Sequence, residues 1–170
     1  MEGEKAKQRS EEQATATSIA AAAFTVSPAL IFSTASVTSG ASASTPFGAI
    51  AVLGSASLAL GSGVVFATNR ANHNMNIQCQ GGALYLTTSG TVTLDGVTAQ
   101  GNHFTTWGTV SGTTGVGSAI YSALGSGGAL SIARSTFANN DAPGGGGAIY
   151  VTSGDFAIGS STFGDNTATS

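Results

Sequence analysis

Charge is scarce in this sequence. Lysine and arginine total 5 and aspartate and glutamate total 8 among 170 residues, so charged residues make up 8%, where roughly a quarter is usual. A chain this poor in lysine and arginine cannot neutralise many phosphates, which argues against nucleic-acid binding. Beyond residue 12 the charged side chains are Arg70, Asp95, Arg134, Asp141, Asp155 and Asp165.

Cysteine, proline and long apolar runs are also nearly missing. Cys79 is the single cysteine, which excludes an internal disulfide and a cysteine-based zinc site, and no cofactor or metal site is predicted. Three prolines beside 25 glycines indicate regular turns in place of a proline-rich linker. No apolar run of about 18 residues occurs without interruption by serine or threonine, so no transmembrane helix is expected.

The first 45 residues form an Ala/Ser/Thr-rich leader with three alternative interpretations. Residues 18–37 are mildly apolar, and the small residues 41–43 could serve as the cleavage site of a secretory signal. The acidic residues 11–12 and the interrupting Pro28 are unusual in such a signal. The other interpretations are an N-terminal cap of the following domain and an incomplete early coil.

One pattern of three short segments recurs along residues 46–170, and alternate residues in each segment are apolar. The last copy is Gly-Gly-Ala-Ile-Tyr-Val at 146–151, Asp-Phe-Ala-Ile at 155–158 and Ser-Thr-Phe-Gly-Asp-Asn at 161–166. Three earlier copies lie at 118–121, 129–132 and 135–140, at 81–86, 91–94 and 97–102, and at 48–52, 57–60 and 64–69.

Stacked strands explain this repeat better than hairpins do. Each segment is too short to bury its apolar face alone, so equivalent segments are expected to stack at about 4.8 Å, with Ile120 over Ile149. An antiparallel sandwich needs tight two-residue turns, and only Asp95-Gly96 has that form. The sequence therefore predicts a right-handed parallel β-helix of about four coils over 46–170, with loop insertions at 70–80 and 103–117.

Four asparagines fall at one equivalent position of the repeat: Asn69, Asn102, Asn140 and Asn166. In stacked coils each amide would hydrogen-bond to the neighbouring amides or to the turn backbone; the alternative is that they are ordinary turn residues. A phenylalanine lies three residues before three of these asparagines and is predicted to fill one corner of the core: Phe66, Phe137 and Phe163. Ala99 takes this place in one coil.

His103, Phe104 and Trp107 lie together in the longer predicted insertion and form a candidate binding loop. An exposed aromatic ring there could stack on a sugar or on a partner protein, or it could cap the coil beneath it. His73 lies in the other insertion, so a metal pair with His103 needs the two loops to stack. A solvated turn is the commoner role for such histidines, and no metal site is predicted.

Acidic residues are too dispersed for hydrolase or lyase chemistry. Glycoside hydrolysis needs two carboxylates at one site, but in the repeat Asp165 aligns with Asn139 and Asp141 with Thr167. Calcium-dependent lyase chemistry needs clustered acidic ligands and a base. We therefore predict that the chain is not an enzyme.

Two short motifs keep fixed places in the coils: Gly-Gly-Ala-Leu/Ile at 81–84 and 146–149, and Phe-x-x-Asn at 66–69, 137–140 and 163–166. They resemble the repeat of the chlamydial polymorphic membrane proteins, over about residues 46–170. That resemblance implies a secreted adhesin, located extracellularly or at the cell surface or outer membrane. Association with a membrane is implied by this resemblance alone.

The function predicted from these features is a non-catalytic structural or adhesive module at a cell surface or in a larger assembly. The alternative is a carbohydrate-binding or carbohydrate-cleaving β-helix. The expected partner is another protein, or a second copy joined end to end, because terminal coils expose unpaired strand edges. A glycan is a further candidate ligand.

Overall fold

The computed structural model describes residues 49–74, 79–107 and 115–169, together with four short strands between residues 17 and 38. All regular structure in these residues is β, and every strand pair is parallel. Four five-stranded sheets run along one axis, and each coil contributes one strand to each sheet in turn. The predicted all-β parallel β-helix is confirmed.

The first two sheets are built from the first and second segments of the predicted repeat. Ile120 pairs with Ile149 in the first sheet, which confirms the predicted register. The first sheet consists, in spatial order, of β1 (Thr17–Ile19), β5 (Ile50–Gly54), β10 (Leu84–Thr88), β15 (Ile120–Ala123) and β19 (Ile149–Ser153). The second consists of β2 (Ala23–Val26), β6 (Ser57–Leu60), β11 (Thr91–Asp95), β16 (Ala129–Ala133) and β20 (Asp155–Gly159).

The third sheet contains the predicted Phe-x-x-Asn segments, and a fourth sheet follows the asparagines. The fourth sheet was not predicted. The third consists of β3 (Ile31–Ser33), β7 (Val65–Ala67), β12 (Thr98–Gln100), β17 (Thr136–Ala138) and β21 (Thr162–Gly164). The fourth consists of β4 (Ser36–Thr38), β8 (Arg70–Asn74), β13 (His103–Trp107), β18 (Asp141–Ala142) and β22 (Thr167–Ala168).

The predicted loop insertions at 70–80 and 103–117 are therefore wrong in part. β8 and β13 pair over five residues, from Arg70 with His103 to Asn74 with Trp107. Further along, β9 (Cys79–Gln80) and β14 (Gly115–Val116) form a separate two-stranded sheet. Segments at the same place in successive coils satisfy each other's backbone hydrogen bonds, and this pairing needs no alternating apolar pattern.

Four described strands lie within the predicted leader, residues 1–45. β1, β2, β3 and β4 pair in parallel with β5, β6, β7 and β8, so they extend all four sheets by one strand. The predicted boundary between residues 45 and 46 falls between β4 and β5. The secretory-signal interpretation stays a prediction.

The core is a set of apolar columns that run through the coils. In the second sheet one such column contains Leu60, Leu94, Ile132 and Ile158, paired strand to strand. The first three are fully buried, and each such side chain contributes about 1.5–3 kcal/mol relative to an exposed one. The neighbouring third sheet contributes Phe66 and Phe137, which are the largest fully buried side chains.

The turn into the first sheet explains why the repeat begins with glycine. Gly81 precedes β10 with a φ of +71°, a conformation that disfavours residues with a Cβ. A Cβ at this position would also lie 2.2 Å from the carbonyl oxygen of Leu84. The first glycine of the motif is therefore required both by its dihedral angle and by the lack of space.

Candidate functional site

The four predicted asparagines lie in one column, at the corner between the third and fourth sheets. Asn69, Asn102 and Asn140 are completely buried, whereas Asn166 is half-buried in the last coil. The coils between them differ in length, with 33, 38 and 26 residues separating successive asparagines. The column therefore keeps its alignment although the connecting segments vary.

Each asparagine hydrogen-bonds to the next one through the same pair of donors. The backbone N–H of Asn102 donates to Oδ1 of Asn140 at 3.1 Å, and its side-chain Nδ2 donates to the same oxygen at 2.9 Å. The pairs Asn69 with Asn102 and Asn140 with Asn166 repeat this arrangement, with Nδ2···Oδ1 distances of 2.8 Å. A buried amide oxygen is thus fully used by two donors from the preceding coil.

The Nδ2 groups of Asn102, Asn140 and Asn166 also donate to backbone carbonyls. Nδ2 of Asn140 donates to the carbonyl oxygen of Ala99 at 3.0 Å, and Nδ2 of Asn166 donates to that of Phe137 at 2.9 Å. These carbonyls belong to the preceding coil, so Asn102 and Asn140, which also donate to Oδ1 of the following coil, join the coils on both sides. Aligned amides in a low-dielectric interior strengthen one another.

The core corner beside this column is aromatic. Phe66 and Phe137 are fully buried, and Ala99, which is also buried, lies between them in register. Phe137 stacks on Phe163 with ring centroids 5.0 Å apart and an interplanar angle of 8°. Phe163 is nevertheless 45% exposed, because no strand pairs with the far side of β21 among the described residues.

The exposed side of the last coil is an apolar face, which we call the end face and define by Val151, Phe156, Ile158, Phe163 and Asn166. Phe156 and Ile158 are 41% and 44% exposed, although they continue columns that are buried in the coil below. All five residues line an open concavity of about 630 Å³. Exposed core positions clustered on one face are typical of an interaction surface.

The predicted binding residues lie on a strand and not on a loop. His103 and Phe104 begin β13, and Trp107 ends it; the Trp107 side chain lies outside the described part of the chain. Phe104 is buried and lies against Gly115 of β14, so its ring is not the exposed ring that binding a sugar or a partner requires. His73 pairs in register with Thr106, so the backbone does not place it opposite His103.

The fourth sheet instead brings three ionisable residues to one column, which the sequence analysis missed. His103 pairs in register with Arg70 on one side and with Asp141 on the other. Arg70 and Asp141 are exposed and His103 is half-buried. Asp141 accepts a hydrogen bond from the hydroxyl of Thr167 at 2.6 Å. Only one carboxylate is present in the column, which is one fewer than glycoside hydrolysis uses.

The one ion pair among the described residues joins Arg134 to Asp95, across the second sheet. Both side chains are accessible to solvent, so the pair adds little to stability. The other carboxylate oxygen of Asp95 is buried and has no partner in the described part of the chain.

Three tyrosines stack on the outer side of the first sheet. Tyr85 and Tyr121 have ring centroids 5.4 Å apart, and Tyr121 and Tyr150 have centroids 6.1 Å apart, both with interplanar angles of 11°. Burial raises the pKa of the Tyr85 phenol above its ordinary 10.0, and Tyr121 raises it further, against a lowering by the hydrogen bond with Thr87.

Comparison of the chain with protein-family models, with curated proteins and with solved structures finds no match. The described residues contain no group of three or more His, Cys, Asp or Glu side chains placed to hold a metal ion. They also form no helix with the length and apolar character that a membrane crossing requires.

Proposed function

We propose that this protein is a non-catalytic structural or adhesive module of a larger assembly at a cell surface, and that it docks through its end face. The observation that carries this proposal is the exposure of Phe156, Ile158 and Phe163 at positions that are buried in the three coils described over residues 49–142. A further coil laid on this face would bury all three side chains and extend every column.

The strand edges of the last coil support the same proposal. β19, β20, β21 and β22 each stand at an end of their sheet, so each offers unpaired backbone groups. Proteins commonly protect such edges with lysine, proline or a bulge. The last coil, residues 146–169, contains no lysine, arginine or proline, and its charged residues are Asp155 and Asp165.

The cell-surface part of the proposal is supported by the resemblance of the Gly-Gly-Ala-Leu/Ile and Phe-x-x-Asn motifs to the repeat of the chlamydial polymorphic membrane proteins. The sequence supplies serine and threonine, and few charged residues, for the outer surface of the sheets, which is compatible with such a module.

The experiment that tests this function uses the natural source of the protein. A gentle extract is fractionated by gel filtration, and the chain is detected with an antiserum raised against the purified protein. We expect the native chain to elute well above the mass that it shows after denaturation. Elution of the native chain at its own mass contradicts the assembly. Labelling of intact cells with an impermeant reagent tests the surface location.

A second candidate function, carbohydrate binding, is favoured by the column of Arg70, His103 and Asp141. Adjacent cationic and anionic side chains at the spacing of β-strands suit the hydroxyl and carboxylate groups of an acidic polysaccharide. Binding of polygalacturonate, measured by calorimetry, tests it. We expect Arg70→Ala to abolish binding and Asp155→Asn, on another sheet, to leave it unchanged; equal affinities for the wild type and Arg70→Ala contradict this candidate.

A further inference from the structure

The asparagine column has a direction, and this direction specifies what the end face can bind. Every buried asparagine gives its backbone N–H and one Nδ2 hydrogen to Oδ1 of the asparagine in the next coil. We infer that the end face selects a β-helical coil that carries asparagine three residues after an aromatic residue. This inference rests on the proposed function and names the chemistry of the partner.

Asn166 carries the hydrogen-bond donors that select the partner. Its Oδ1 accepts both donors of Asn140, and one Nδ2 hydrogen is used by the carbonyl of Phe137. Within the described part of the chain, its backbone N–H and its second Nδ2 hydrogen have no acceptor. A coil docked on the end face buries these two donors, so it must bring an acceptor at this position.

Aromatic rings at the same end add a second requirement. Phe163 and Tyr150 are each the last ring of a stack, and each leaves one face uncovered by any described ring. Rings of the partner at the equivalent positions would continue both stacks at a centroid separation of about 5–6 Å, within the favourable range for aromatic pairs. A Phe-x-x-Asn segment places a ring and an acceptor at the spacing of Phe163 and Asn166.

The test supplies the proposed partner coil within the chain itself. The full chain is extended by a copy of its own last coil, residues 146–169, in which the residue copied from Asn166 is either asparagine or alanine. We expect the asparagine-bearing extension to raise the midpoint of denaturant unfolding above that of the unextended chain, and the alanine-bearing one to raise it less. Equal midpoints for the two extensions overturn the inference.

The two proposals fail in different experiments. If the native chain elutes as a monomer in extracts, the proposed function fails whatever the variants do. If the native chain is assembled but the two extensions show no dependence on asparagine, the assembly stands and the selection by Asn166 fails.

Discussion

Phe137 and Phe163 occupy the same position in successive coils and stack with centroids 5.0 Å apart, yet Phe137 is fully buried and Phe163 is 45% exposed. Both residues lie in the third sheet. Phe137 is in an inner strand, whereas Phe163 is in the edge strand β21. This pair shows that the last coil is organised as an interior coil although one side of it is open.

The same pair yields a stability prediction. Phe137→Ala should lower the free energy of unfolding by about 3–5 kcal/mol, because it leaves a cavity in a closed part of the core. Phe163→Ala removes the same ring from a half-open site and should cost roughly 1–2 kcal/mol. Denaturant unfolding of both variants measures the difference; equal losses would show that the last coil is covered in solution.

Ser122 is a buried residue whose removal should not destabilise the protein. Its hydroxyl is completely buried among apolar neighbours of the first sheet and has no partner in the described part of the chain. Burying an unpaired hydroxyl is unfavourable, so Ser122→Ala should leave the free energy of unfolding unchanged or raise it by up to about 1 kcal/mol.

Ser135 provides the matched control for Ser122. It is equally buried, but its hydroxyl accepts the N–H of Val97 at 3.1 Å and donates to the carbonyl of Ala133 at 2.8 Å. Ser135→Ala should therefore lower the free energy of unfolding by about 1–3 kcal/mol. A loss for Ser122→Ala as large as that for Ser135→Ala would contradict the assignment of Ser122 as unpaired.

The raised pKa of Tyr85 predicts a loss of stability in alkali. The folded chain holds the phenolic proton more firmly than the unfolded chain, so this contribution is complete below pH 10.0 and declines as the pH rises toward the folded-state pKa. Tyr85→Phe removes the group, so its free energy of unfolding should fall less steeply above pH 10. Denaturant unfolding between about pH 8 and about pH 11 tests this; identical slopes for the two proteins count against it.

Within residues 46–170 the sequence was sufficient to predict the coils, their parallel register and three of the four strands in each coil; the strands β1–β4 in the leader were not predicted. Those three strands have alternating apolar residues, and the Phe-x-x-Asn and Gly-Gly-Ala motifs mark their ends. The fourth strand was missed because β18 and β22 are two residues long, too short to show any periodicity. β8 and β13 are five residues long, but their pairing depends on their position in successive coils and not on a hydrophobic pattern.

Part of the candidate site could also be predicted from the sequence. The asparagines could be aligned because they keep a fixed distance from the preceding phenylalanine or its alanine replacement. The column of Arg70, His103 and Asp141 could not be predicted from the sequence, because it depends on the fourth sheet. The openness of the end face at Phe163 also could not be deduced, because in sequence this residue is equivalent to the buried Phe137.

The asparagine column is a hydrogen-bonded structure and not a set of turn residues. Asn139 and Asn140 are adjacent and allow the same chemical change in two environments. Asn140 is buried in the column, whereas Asn139 is exposed, with a φ of +54°, and Asp165 holds the equivalent place in the next coil with a φ of +51°.

The most direct measurement is denaturant unfolding of Asn140→Asp beside Asn139→Asp. Asn140→Asp replaces the donor to Ala99 and Asn166 with a buried oxygen, so we expect a loss of at least about 2–3 kcal/mol in the free energy of unfolding. Asn139→Asp should change it by less than about 0.5 kcal/mol, as exposed substitutions do. Losses of equal size for the two variants would contradict the asparagine column.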